Sequence, residues 1–121
     1  MEKKKSNYVN LERLELIATY RCNSRCKHCL IQPQQYEGET MPPDQAKAIT
    51  KDICTRFNPV SVMIFGGEPT LAMPTTVACL KVAQKFQIPH RQVLTNGYWA
   101  KNEQDPSIKN TAQLLNQAGA N

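Results

Sequence analysis

The sequence predicts an α/β fold of three parallel strand–helix units, and three observations carry that prediction. Short alternating or β-branched apolar runs take turns with segments of helical apolar spacing, in the order strand, helix, strand, helix, strand, helix. Gly, Pro, Asn or Asp stands where each element should start or stop. The chain is 121 residues long, enough for one small core and too short for a full eight-stranded α/β barrel of about 250 residues.

Residues 13–20 alternate apolar and polar positions and end in an apolar run, which reads as a strand entering a covered sheet. From Arg21 to Thr40 the cysteines and then Gln, Pro, Gly and Glu show neither strand nor helix period, so this stretch is a long loop, and long loops tend to be functional. Pro42-Pro43-Asp44 opens a helix, with proline tolerated in the first turn and an acid near the positive end of the dipole. Ala46, Ile49, Ile53 and Phe57 form its apolar face, and Asn58-Pro59 stops it. Residues 60–65 are a second strand, closed by Gly66-Gly67. A second helix over 75–86 carries Val77, Leu80, Ala83 and Phe86 inward and ends at Ile88-Pro89, with His90 expected in a surface loop. Residues 91–95 form a short third strand closed by Asn96-Gly97. Asp105-Pro106 opens a third helix with Ile108, Ala112 and Leu115 facing inward and Gly119 as C-cap. Such a sheet would leave one face and its last edge uncovered, which parallel sheets rarely tolerate.

Hydrophobic residues make up 40% and charged residues 21% of the chain, a balance that suits a folded globular protein and excludes a disordered or fibrous one. No apolar stretch approaches the roughly 20 residues of a bilayer span, and polar Ser6-Asn7 follows the opening lysines where a secretory signal would need an apolar core. The expected setting is cytoplasmic, with no membrane partner. Residues 1–10, including Lys3-Lys4-Lys5, read as a disordered basic terminus ahead of one domain over 11–121. The net charge of +5 favours an acidic partner without naming one, and nucleic acid is not the expected one.

Five cysteines are an odd number, and Cys22, Cys26 and Cys29 crowd into one loop, which is poor disulfide design and suggests a metal. The loop lies at the C-terminal end of a predicted strand, where parallel α/β sheets gather their ligand sites. Structural zinc would need a fourth ligand, and His28 beside Cys29 is awkwardly placed to give it. An iron-sulfur cube held by three thiolates would keep one iron open for a small molecule. Cys54 and Cys79 lie in predicted helices among apolar residues and read as core packing.

The segment from Cys22 to Cys29, with Gly66-Gly67-Glu68-Pro69 after the second strand and Thr95-Asn96-Gly97 after the third, resembles the radical S-adenosylmethionine (radical SAM) enzyme superfamily, with the motifs in the family's order. The resemblance implies a 4Fe-4S cluster on Cys22, Cys26 and Cys29, whose unique iron binds S-adenosylmethionine (SAM). It implies that Gly66, Gly67, Glu68 and Pro69 meet the SAM amino group, Glu68 adding an acceptor carboxylate. His28 would lie near the adenine, and Asn96 would touch the cofactor. The implied reaction is reductive cleavage of SAM to methionine and a 5'-deoxyadenosyl radical, an oxidoreductase-type chemistry in which no side chain of the chain itself is assigned a catalytic role. A low-potential donor such as flavodoxin or ferredoxin would supply the electron, and a peptide or protein is one substrate class the wider family offers. Because the family's catalytic domain has six strand–helix units, the chain is expected to be the N-terminal half of a partial (β/α)6 TIM-like barrel. As a truncated core domain or fragment it would be inactive alone unless a second polypeptide completes it. The competing expectation is an iron-sulfur or zinc binding module without radical chemistry.

Overall fold

In the computed structural model, residues 11–29, 38–100 and 104–121 are described. The expected disorder of residues 1–10 and the remainder of the cysteine loop fall outside them. Three strands, β1 (Arg13–Thr19), β2 (Ser61–Gly66) and β3 (His90–Val93), form one sheet in the order β1-β2-β3. Both pairings are parallel, with Leu16 opposite Ile64 and Ile64 opposite Val93. Between and after them run α1 (Pro43–Phe57), α2 (Met73–Lys85) and α3 (Pro106–Ala118). The α/β architecture of three parallel strand–helix units therefore stands as predicted.

The period of two along the strands decides which side chains go inside. Leu14, Leu16 and Ala18 of β1 and Val62 and Ile64 of β2 are buried under the helices. There they meet Ala46, Cys54, Cys79, Leu80, Ala83, Leu115 and Ala118 in one core. α1 packs on α2 and α2 on α3. The alternate positions face the other way: Arg13 and Glu15 are exposed, Ile17, Met63 and Phe65 are half-buried, and Leu94 just beyond β3 is 60% exposed. Among the described residues this second face carries no covering layer. Arg13 and Glu15 pair across it at 2.9 Å.

The helix signals mostly hold. Pro43 occupies the first turn of α1 with Asp44 beside it, and Asn58 closes the helix in the left-handed conformation. Asp105 caps α3 by accepting the Ser107 N–H at 2.9 Å, and Gly119 is its C-cap. Several details differ, among them the end of the third strand, which stops at Val93 instead of Thr95. α2 starts two residues earlier than predicted because Pro74 fits its first turn. A 3-10 helix over Pro69–Ala72, unforeseen, leads into it. His90 is the first residue of β3 rather than a loop residue. Ala112 is exposed, and α3 instead buries Leu115 and Ala118.

The deepest stripe of α1 is Ala46, Thr50 and Cys54, with Ile49 and Ile53 only half-buried beside it. Thr50 can sit there because its hydroxyl donates to the Ala46 carbonyl at 2.7 Å, leaving a methyl for the core. Thr75 and Thr76 at the start of α2 do the same toward Met41 O and Pro69 O, at 2.6 and 2.9 Å. Burial pushes the Cys79 thiol up from its ordinary value, and a hydrogen bond with Thr50 pulls the other way more weakly. Cys54 and Cys79 are thus the packing residues the sequence suggested.

Candidate cofactor site at the strand C-termini

The three motif segments follow the C-terminal ends of the three strands, and backbone geometry binds the first two together. After β1, the Thr19 carbonyl accepts the Gly67 N–H at 2.8 Å and the Arg21 carbonyl accepts the Glu68 N–H at 2.7 Å. That approach is possible only without side chains. A Cβ on Gly66 would overlap the Thr19 carbonyl oxygen, and one on Gly67 would overlap the Arg21 and Tyr20 carbonyls. Gly66 also has φ +143, a conformation other residues rarely adopt. The glycine pair therefore admits the chain's own backbone, a reason separate from any ligand. Thr19 closes the other side of the loop, its hydroxyl 2.7 Å from that of Thr40 and accepting the Arg21 N–H at 3.0 Å.

Glu68 is fully buried. Its carboxylate accepts the Thr70 N–H at 3.1 Å, the Thr70 hydroxyl, the Thr95 hydroxyl at 2.8 and 2.9 Å to its two oxygens, and the Asn96 N–H at 2.7 Å. A carboxylate offers about four lone-pair sites, so this one is well occupied by the protein itself. The carboxylate ties the turn after β2 to the turn after β3. Thr95 extends the network by accepting from Gly97 N and from Trp99 Nε1, both at 3.1 Å. Pro69 is buried and opens the 3-10 helix, for which Glu68 is the N-cap.

Cys22, Cys26 and Cys29 lie on the segment leading away from Arg21. Cys26 is exposed and the other two are half-buried, and all three are free thiols. The Cys22 sulfur accepts the Ser24 N–H at 3.4 Å, and a turn brings the Cys29 N–H to the Cys26 carbonyl at 3.2 Å. Among the described residues no three Cys, His, Asp or Glu side chains are gathered as a metal site. The donor set still fits an iron-sulfur cluster: accessible thiols on one irregular loop, one sulfur already receiving a backbone N–H. His28 is exposed on the turn directly before Cys29. Asn96 is exposed as well, and its carboxamide reaches across to the cysteine loop, donating to Asn23 Oδ1 at 2.9 Å and Ser24 Oγ at 3.1 Å. Arg21, Arg25 and Lys27 are exposed around the thiols, so the loop is basic.

Of the sequence-predicted residues, the Gly66 to Pro69 turn and Asn96 are thus tied to each other and to the start of the cysteine loop, while the three thiols are not gathered and His28 makes no link to the other two turns among the described residues; Thr19, Thr70 and Trp99 are supports that sequence reasoning missed. In the sequence Thr95 stands only as part of the Thr95-Asn96-Gly97 motif, with no role of its own. No helix among the described residues is long and apolar enough to cross a membrane. A family model described as the radical SAM superfamily matches residues 16–121. A comparison with curated proteins found no match.

Proposed function

The chain belongs to the radical SAM superfamily, and from that premise we propose that it binds a 4Fe-4S cluster through Cys22, Cys26 and Cys29 and SAM beside it. When bound, the cluster would supply the electron that cleaves SAM reductively to a 5'-deoxyadenosyl radical. The chain's own residues bind and orient. The three cysteines are the thiolate ligands, and the Gly66 to Pro69 turn, tied by the Glu68 carboxylate to Thr70, Thr95 and Asn96, would meet the SAM amino group. His28 offers a planar ring for the adenine, and Asn96 borders the same space.

The observation that carries this reading is the direct bonding of the cysteine loop to both other motif turns. Gly67 and Glu68 donate to the backbone at Thr19 and Arg21, and Asn96 donates to Asn23 and Ser24. The strand C-termini of a parallel sheet are where such sites form. The basic residues Arg21, Arg25 and Lys27 support docking of an acidic low-potential donor of the flavodoxin or ferredoxin kind, because complementary charge speeds encounter.

Anaerobic reconstitution with iron and sulfide tests the reading. The wild-type chain should gain a cluster whose electron paramagnetic resonance spectrum changes on adding SAM, and Cys22→Ala, Cys26→Ala and Cys29→Ala should each lower iron content sharply. Stoichiometric zinc with no response to SAM would support a structural metal module instead. Cysteine variants with unchanged iron and unchanged SAM response would refute the ligand assignment.

A further inference from the structure

We propose that Asn96 is a positioning residue for the cysteine loop, setting where the first thiol stands relative to the Gly66 to Pro69 turn. The proposal rests on the reading above only in taking that loop as the cluster loop. Every polar group of Asn96 but its carbonyl is engaged. Its N–H donates to Glu68 Oε1 at 2.7 Å, and its Oδ1 accepts the Tyr98 N–H at 3.0 Å. Its Nδ2 donates to the cysteine loop, to Asn23 Oδ1 at 2.9 Å and Ser24 Oγ at 3.1 Å.

The orientation of this carboxamide follows from chemistry. A backbone N–H from Tyr98 must face an acceptor, so the oxygen lies on that side and the NH2 on the other. The carboxamide is therefore a one-way link from the β3 turn to the β1 loop, and its base is the buried Glu68 carboxylate. Its far end falls on the two residues directly after Cys22, and Ser24 in turn donates its own N–H to the Cys22 sulfur at 3.4 Å. Releasing Ser24 thus releases the sulfur's hydrogen bond. The link is exposed at Asn96, so its loss should disturb the loop far more than the fold, which is carried by the core beneath the sheet.

Two measurements on the same variants decide it. In the metal-free chain, Cys22 and Cys26 are alkylated competitively and mapped by mass spectrometry. Asn96→Ala should raise the Cys22 to Cys26 labelling ratio by about two- to tenfold, the effect of losing one or two modest hydrogen bonds. The melting temperature should fall by no more than about 5 °C, as a change of that size implies. Asn23→Ala with Ser24→Ala should give a similar rise, and adding Asn96→Ala to that pair should change nothing further. In the reconstituted chain, Asn96→Ala should need several times more SAM for half the spectral change while retaining its iron. An unchanged labelling ratio overturns the proposal, and so does a further full effect of Asn96→Ala in the Asn23→Ala, Ser24→Ala background. Should Asn96→Ala fail to fold, the double variant, which leaves the Glu68 network untouched, carries the test alone. If the wild-type chain gains no cluster, the reading above fails, while the labelling ratio still judges Asn96.

Discussion

Replacing Gly67 by alanine should be far more damaging than replacing Gly97, although Gly97 is the one with a positive φ. At Gly67 an added methyl would overlap three backbone atoms, the Arg21 carbonyl oxygen and carbon and the Tyr20 oxygen, none of which can rotate aside. Relief requires moving the Arg21 carbonyl, which accepts the Glu68 N–H at 2.7 Å, and strains the neighbouring bond from Gly67 N to Thr19 O at 2.8 Å. Overpacking costs about 1–3 kcal/mol, and one or two weakened hydrogen bonds add about 0.5–1.5 kcal/mol each. The total is about 1.5–6 kcal/mol, against a whole stability of roughly 6–18 kcal/mol at this length. At about 4 °C per kcal/mol the melting temperature should drop by about 6–24 °C. Gly97, at φ +69 with nothing within 4 Å of an added Cβ, pays only for conformation. Gly97→Ala should cost about 1 kcal/mol, or about 4 °C. Circular dichroism melts and urea midpoints with an unchanged slope would measure both. If Gly67→Ala melts no lower than Gly97→Ala, the close approach of the two turns is not the reason for the glycine.

Four further outcomes are expected. Glu68→Gln turns one acceptor oxygen into a donor facing Thr70 or Asn96, and should destabilise by about 2–4 kcal/mol in urea unfolding; a neutral result would mean the network carries no weight. Iodoacetamide should modify Cys22, Cys26 and Cys29 in the folded chain and reach Cys54 and Cys79 only on unfolding, since those two are buried. Because burial raises the Cys79 thiol above its ordinary value of 9.0, the unfolded chain ionises first, and stability should decline as pH rises past that value. Asp105 is held below its ordinary 3.8, chiefly by the Ser107 N–H, so its stabilising contribution is complete above that value and lost as pH falls through the lowered one. Asp105→Asn, which keeps the cap without the charge, should flatten the part of the stability profile that lies below the ordinary 3.8.

Much of this was legible in the sequence because the signals were periodic or tied to one turn. The alternation of Leu14, Leu16 and Ala18 marks the covered face directly, and Pro43 and Asp105 mark helix starts through local geometry alone. The inward stripe of α1 was harder, since Thr50 counts as polar until its hydroxyl is seen returned to Ala46. Glu68 was the least legible. The motif identifies Glu68 as an acceptor, but not that Thr95 and Asn96, in the turn after β3, are among its donors. Likewise the glycine pair announces a close approach, but not that the approaching partner is the segment after β1.

The contact between Asn96 and Asn23 joins residues 73 positions apart. Bringing such distant segments together carries a loop-closure cost that the strand pairings must meet first, and parallel pairing is intrinsically slow. The thiol loop should therefore acquire its final arrangement among the last events of folding, after β1, β2 and β3 have aligned. Iron offered to a nascent or refolding chain would encounter loose cysteines, and loading should be most faithful when the metal arrives late.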